Sequence, residues 1–226
     1  MAGWNAQSMM DGLPSVLALA TAGGINLGTA SDIVTDALTA FGLKASDTSH
    51  FVDVLATASS KSNTNVTQMG EAFKMSASIA GAFNYSIDDT ALALGLMANA
   101  GIKAGIAGRS LRQILSTMTS DLKLTTKSTD EYVVATTNSD GTMRALRPVL
   151  VDMRKAFADM TDSQKASNAE TIAGKTGMSG LLAIMNATDE EFDSLANAID
   201  NCNGSAEEMS GVMARVIGHF YGNIVD

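Results

Sequence analysis

The chain has 226 residues, 46% of them hydrophobic and 5% aromatic, which is enough apolar surface to bury a sizeable core and excludes a disordered chain. A net charge of −9 and a pI of about 4.6 exclude a chain-wide basic footprint for a phosphate backbone. Cys202 is the single cysteine, so an internal disulfide is excluded, a cysteine-built zinc site is argued against, and synthesis in a reducing compartment fits.

Alanine, leucine, methionine, serine and threonine supply small, flexible apolar surface suited to close helix packing. Pro14 and Pro148 are the two prolines, while 20 glycines provide helix ends and turns. The first helix is expected from Ala6 to about Thr21, where Met9, Met10, Leu13, Val16, Leu17 and Ala20 recur at three- and four-residue steps, and Gly23-Gly24 ends it. Gly12 to Ser31 carries no charge, yet a basic leader is missing and glycines dilute the stretch, so a buried core helix is expected rather than a signal peptide or membrane span. A second helix runs from Thr29 to a C-terminal stop at Gly42. A third starts at Ser46-Asp47 and carries Phe51, Val54, Leu55 and Ala58 before a polar loop, residues 59–65. Asn65 caps a fourth helix that reaches Gly81, and Ser86-Ile-Asp-Asp89 opens a fifth. That fifth helix is apolar on most sides, hence central, and stops at Asn99-Ala-Gly101.

Gly105 to Leu122 is predicted to be one helix with Arg109 and Arg112 near its start. Asn138-Ser-Asp-Gly141 between Glu131–Thr137 and Thr142–Leu146 is the signature of a β-hairpin turn. Helices resume near Pro148 and again after a cap at Thr161-Asp-Ser-Gln164, leading toward Gly174. A short apolar helix spans residues 177–186, and Thr188 with Glu191 forms a capping box for the next, which ends at Asn203-Gly204. Ser205 to Asp226 is a last helix. The expected fold is mainly α, a compact bundle of about ten helices with a small β-hairpin around residues 130–146. It subdivides into residues 1–124, the hairpin at 125–147, and residues 148–226.

No chemistry assembles from these residues. His50 and His219 each lack a second ligand at helical spacing. Asp88-Asp89 and Glu190-Glu191 lie just inside predicted helix starts, where the helix dipole accounts for them. The stretch from Gly101 to Ser110 places glycines before a helix that bears cations, but it matches neither phosphate-binding fingerprint and is taken as a tight helix–helix turn. Asp200 to Ser205 departs from the calcium-loop pattern at Cys202 and Gly204. Of the 14 methionines, Met9, Met10, Met209 and Met213 are those expected to be exposed. The catalytic, cofactor-binding and metal assignments are therefore none.

The order of segments is nevertheless specific. TASDIVTDALTAFGL at Thr29–Leu43, FVDVLATASSKSNTN at Phe51–Asn65, YSIDDTALALGLMANAGIK at Tyr85–Lys103, Gly108-Arg-Ser-Leu-Arg112 and SGLLAIMNATDEEFD at Ser179–Asp193 together resemble the core of phage tail tape-measure proteins. The resemblance is collinear from about Gly12 to Gly204 and departs after Glu208, at Val212 to Tyr221. It implies a fragment of a longer structural and assembly protein of a phage or prophage, not an enzyme, and one without a cofactor. Such a protein sets tail length, fills the tail tube lumen and assists genome delivery, located in the virion and, during assembly, in the bacterial host cytoplasm. The implied partners are further copies of itself, the tail tube protein, tail assembly chaperones, distal tail or baseplate proteins and the host membrane, with no sequence-specific nucleic-acid binding. The alternative from the residues is a membrane-active helical protein that inserts its charge-free stretches, Gly12 to Ser31 and Thr90 to Ile102, during DNA ejection.

Overall fold

The computed structural model describes residues 6–125 and 131–222, with backbone alone considered at Glu131 and from Ile217 onward. Among the described residues it contains ten α-helices and one two-stranded antiparallel sheet. The helices are α1 (Ala6–Gly23), α2 (Leu27–Phe41), α3 (Thr48–Lys61), α4 (Val66–Ala82), α5 (Ile87–Asn99), α6 (Ala104–Thr117), α7 (Leu146–Ala158), α8 (Asp162–Asn186), α9 (Asp189–Asp200) and α10 (Ser205–Gly222). The strands are β1 (Leu122–Thr125) and β2 (Glu131–Val134). This is the mainly α fold with a small hairpin that the sequence pattern predicts.

Local caps set most boundaries. Asn65 accepts the Gln68 N–H at 2.9 Å and Ser86 accepts that of Asp89 at 3.0 Å, each satisfying an orphan donor of a first helical turn. Thr161 with Gln164 and Thr188 with Glu191 form reciprocal capping boxes at the starts of α8 and α9. Gly42 ends α2 in the left-handed conformation at φ 68°. α2 begins at Leu27, two residues before the expected Thr29, because Asn26 caps it by accepting the Thr29 N–H at 2.8 Å. The polar run expected as a loop at 59–65 is helical through Lys61, because the Ser59 and Ser60 hydroxyls bond the carbonyls of Ala56 and Thr57 inside α3.

Every residue of α5 except Asp88 and Asn99 is buried, as a central helix requires. It is enclosed by α3, α4, α6, α7, α8 and α9. Beside it the rings of Phe51 and Phe73 meet edge to face, 5.5 Å between centroids, and Phe41 packs against Phe73 at 6.2 Å. The pairing of α4 with α6 is so close that a Cβ at Gly108 would lie 2.2 Å from the Ala72 carbonyl oxygen. Gly174 adopts φ 61° and ψ 175°, which breaks α8 near the point where two separate helices are predicted. The Thr117 hydroxyl donates to the Ile172 carbonyl, and the Ser110 hydroxyl to the Thr176 carbonyl at 3.3 Å, so α6 satisfies acceptors on both sides of the break.

The β region corrects the sequence pattern in its details. α6 stops at Thr117, and Leu122, expected at the end of that helix, begins β1 and pairs with Val134. Leu111, Leu115, Met118 and Leu122 continue a helical period, but Leu122 and Leu124 also alternate with Lys123 and Thr125, and it is this alternation that is buried. Asn168 of α8 closes the hairpin edge by accepting the Thr125 N–H and donating to its carbonyl, both at 3.0 Å. The Asp140-Gly141 turn forms where it is predicted, with Gly141 at φ 84°, yet its flanks share just one bridge, Thr137 with Met143. The chain joining β1 to β2 lies outside the described residues.

Gly108→Ala should destabilise the fold by about 1–3 kcal/mol through forced separation of α4 and α6. Gly211→Ala, at an open position of α10, should be neutral or stabilising by up to about 1 kcal/mol. Urea midpoints for both variants provide the comparison, and a Gly108→Ala midpoint equal to that of the parent chain would contradict the close approach.

Candidate functional site

Several of the residues singled out for chemistry make polar contacts within the fold, some of them between segments far apart in the chain. Asp89 lies in the first turn of α5, yet its carboxylate does not serve that turn. It accepts the Arg147 backbone N–H at 3.0 Å and the Arg147 Nε–H at 2.9 Å. The same guanidinium donates to both oxygens of Asp200, at 2.7 and 2.9 Å. One arginine at the start of α7 thereby joins α5 to the end of α9 through planar, multiply bonded geometry. The bond from Asp200, then the two carboxylate charges, hold the guanidinium more firmly protonated against the opposing effect of burial. In return Arg147 holds the Asp200 carboxyl below its ordinary value of 3.8.

Asp53, buried in α3, accepts the backbone N–H groups of Gly204 at 2.9 Å and Ala206 at 3.0 Å. It is a cap supplied from 151 residues away, satisfying the start of α10. Cys202 sits in the same turn, and burial, reinforced by the Asp53, Asp88 and Asp200 charges, pushes its thiol up to about 11. A thiol in that range is protonated at neutral pH and a poor nucleophile. The segment from Asp200 to Ser205 is thus a helix C-terminal turn whose acid is committed to Arg147, with Gly204 at φ 79°.

His50 does acquire a partner, which helical spacing could not reveal. Its Nε2 lies 3.0 Å from Asp88 Oδ2, linking α3 to α5 at a half-exposed position. An open depression of about 420 Å³ adjoins the pair, walled by Phe41, Leu43 and Tyr85. Burial pushes the Tyr85 phenol up to about 12. His219 lies in the α10 backbone, and its side chain is outside the described residues. Glu191 performs the capping role expected of it, while Glu190 beside it is exposed. No group of three or more His, Cys, Asp or Glu among the described residues is arranged to hold a metal ion.

The Gly101–Ser110 stretch is a helix–helix turn. Gly101 and Ala104 take positive φ, of 85° and 53°, and Ala107, Gly108 and Ser110 are buried against neighbouring helices. Lys103 spans to Asn63 at 2.9 Å, and Asn99 accepts the Asn63 N–H at 2.9 Å, which ties this turn to the one after α3. Arg154, which no sequence pattern distinguished, donates to the Ile184 and Ala187 carbonyls and to Asp189 while lying 4.9 Å from the Phe192 ring centroid. It joins the end of α8 to the start of α9. Met9 and Met10 are exposed as expected, whereas Met209 and Met213 are half-buried. α1 buries Val16 and Leu19 but leaves Met10, Leu13 and Leu17 in solvent, so it is a core helix on one side only.

A profile of the phage-related minor tail protein family matches residues 1–174. The chain is similar to a tape measure protein of Pneumococcus phage Dp-1, with 35% identity over 212 residues, 94% of this chain and 18% of that protein. It is also similar to a probable tape measure protein of Escherichia phage P2, with 24% identity over 220 residues, 96% of this chain and 27% of that protein. The chain therefore spans less than a third of the length of either relative. No solved structure matches it.

The arginine centre has a direct consequence for stability. Arg147→Ala should cost about 3–5 kcal/mol, because it leaves the Asp89 carboxylate buried without its cation. Asp200 titrates below its ordinary range when folded, so its stabilisation is complete above that range and is lost as pH falls through the lowered value. Denaturation measured from neutral pH down through about pH 3 should show a shallower acid loss in Asp200→Asn than in the parent chain. Identical acid limbs in the two proteins would contradict the assignment.

Proposed function

Because the chain belongs to the phage-related minor tail protein family, we propose that it is a compact helical module of a tape-measure protein, serving tail structure and assembly rather than catalysis. The observation that carries this reading is that two phage tape-measure relatives align with nearly the whole of this chain. The parent protein would set tail length while tube subunits polymerise around it, occupy the tube lumen in the virion and assist genome delivery. Its partners would be further copies of itself, the tube protein, tail assembly chaperones and distal tail or baseplate proteins, met first in the host cytoplasm. Among the described residues the module is divided into ten short helices, the first two bent by 119° from one another, so it is not the rod. Its contribution is a folded body for contacts. Deleting codons 6–222 in frame should reduce the yield of complete tails or block DNA delivery. A phage of normal titre with only a proportionately shorter tail would overturn the proposal.

A second reading, contact with the host membrane, is favoured by α1 and α2. No single helix among the described residues is long and apolar enough to cross a membrane, but this pair, bent by 119°, is so when taken together. Met10, Leu13 and Leu17 on α1 and Leu27 on α2 are already exposed. The chain should float with lipid vesicles at neutral or mildly acidic pH, and Leu13→Asp/Leu17→Asp should abolish flotation. Absence of flotation under both conditions would remove this reading.

A further inference from the structure

Arg109 and Arg112 stand three residues apart on the outer face of α6, both exposed. Neither has a hydrogen-bond or ion-pair partner among the described residues. Arg144, Arg147 and Arg154, by contrast, each hold a carboxylate. Two like charges at this spacing repel along a helix, and they occur in a chain whose net charge is −9. Ile106, one turn earlier on the same face, is 60% exposed. Lys175 is exposed on the adjoining part of α8, where Gly174 and Gly177 pack near Gln113. An exposed isoleucine beside two unpaired arginines has the composition of a protein-binding face.

The complement is on α9. Glu190 and Asp193 are exposed, three residues apart, and without partners among the described residues. Asp189 beside them has a side chain 97% exposed even while bonded to Arg154. Between α7 and α9 lies an open groove of about 540 Å³ with Val151, Met185 and Phe192 in its walls and Asp189 and Asp193 on the α9 side. Arg154, Lys155 and Lys165 line the groove as well, so the groove itself takes an apolar side chain, and an incoming cation is met on the exposed ridge of Glu190 and Asp193.

We propose that the α6 face of one copy docks on the α9 ridge of a second copy, Arg109 and Arg112 against Glu190 and Asp193, with Ile106 in the neighbouring groove. The matched spacing and opposite sign of the two doublets carry the inference. The two surfaces are different, so the contact is heterologous and repeats head to tail, closing into a ring or extending as a filament. It supplies a surface for the self-association proposed above and can fail separately from it. A nucleic-acid partner would gain nothing from the isoleucine and would meet a net negative body.

Sedimentation of the chain at roughly 0.05 M and 1 M salt tests the contact, which screening should weaken at least ~10-fold. Arg109→Glu/Arg112→Glu and Glu190→Lys/Asp193→Lys should each remain monomeric with the circular dichroism of the parent chain, the α9 variant losing from its urea midpoint only the helix-dipole contribution of Glu190. Mixing the two variants should restore association, which a role confined to folding would not do. If the α6 variant associates as the parent does, another face is used and the inference fails while self-association stands. A chain that stays monomeric at low salt, or one whose α6 arginines instead retain a short DNA duplex, also overturns it.

Discussion

A helix with almost no solvent-facing side sets the terms for the rest of this molecule. α5 buries nearly all of its thirteen residues, so other helices must wrap it and the polar groups at its ends must be answered within the protein. At its start Ser86 satisfies one backbone donor and Asp89 is neutralised by Arg147, which in turn fixes Asp200. At its end Asn99 accepts the Asn63 N–H. α7 and α9 are therefore held by the electrostatic cost of enclosing α5, as well as by apolar contact. Glycines let the surrounding backbones close on it: Gly95 of α5 lies against Leu195 of α9, Gly180 of α8 lies against Met97 of α5, and Gly108 lets α6 meet α4.

Features encoded over three or four residues were legible in the amino-acid sequence. Asn65, Ser86, Thr161 and Thr188 cap helices because the accepting oxygen and the orphan N–H lie within one turn, and Gly42 and Gly174 interrupt helices through their own backbone freedom. The strands were harder, because Leu122 continues the helical period of Leu115 and Met118 and also alternates with Leu124, and the pairing with β2 and closure by Asn168 decide between them. The long-range polar contacts were not legible. Arg147 meets acids 58 and 53 residues away, Asp53 meets a turn 151 residues away, and His50 meets Asp88 across 38 residues. Chain spacing has no bearing on such pairs. The family was legible for a different reason, since several blocks in one order are more specific than any local motif.

The division of labour in this chain follows from charge placement. Its inward-facing cations, Arg144, Arg147 and Arg154, are each tied to a carboxylate and hold helices together. Those on the outer face of α6, Arg109 and Arg112, hold nothing among the described residues. An acidic protein that keeps free arginines beside an exposed isoleucine has separated the cations that build its fold from those left available to a neighbour.

The contact between α1 and α10 sets a length. The two helices pack side by side, and Asp53 fastens the turn that begins α10 to α3, which α1 also contacts. Drawn out as one straight helix, residues 6–222 would extend roughly 325 Å at about 1.5 Å per residue. Folded, the first and last helices are each 18 residues long, roughly 27 Å, and pack against one another instead of lying end to end. In a longer chain that carries it, such a body adds most of its contour to bulk and little to reach.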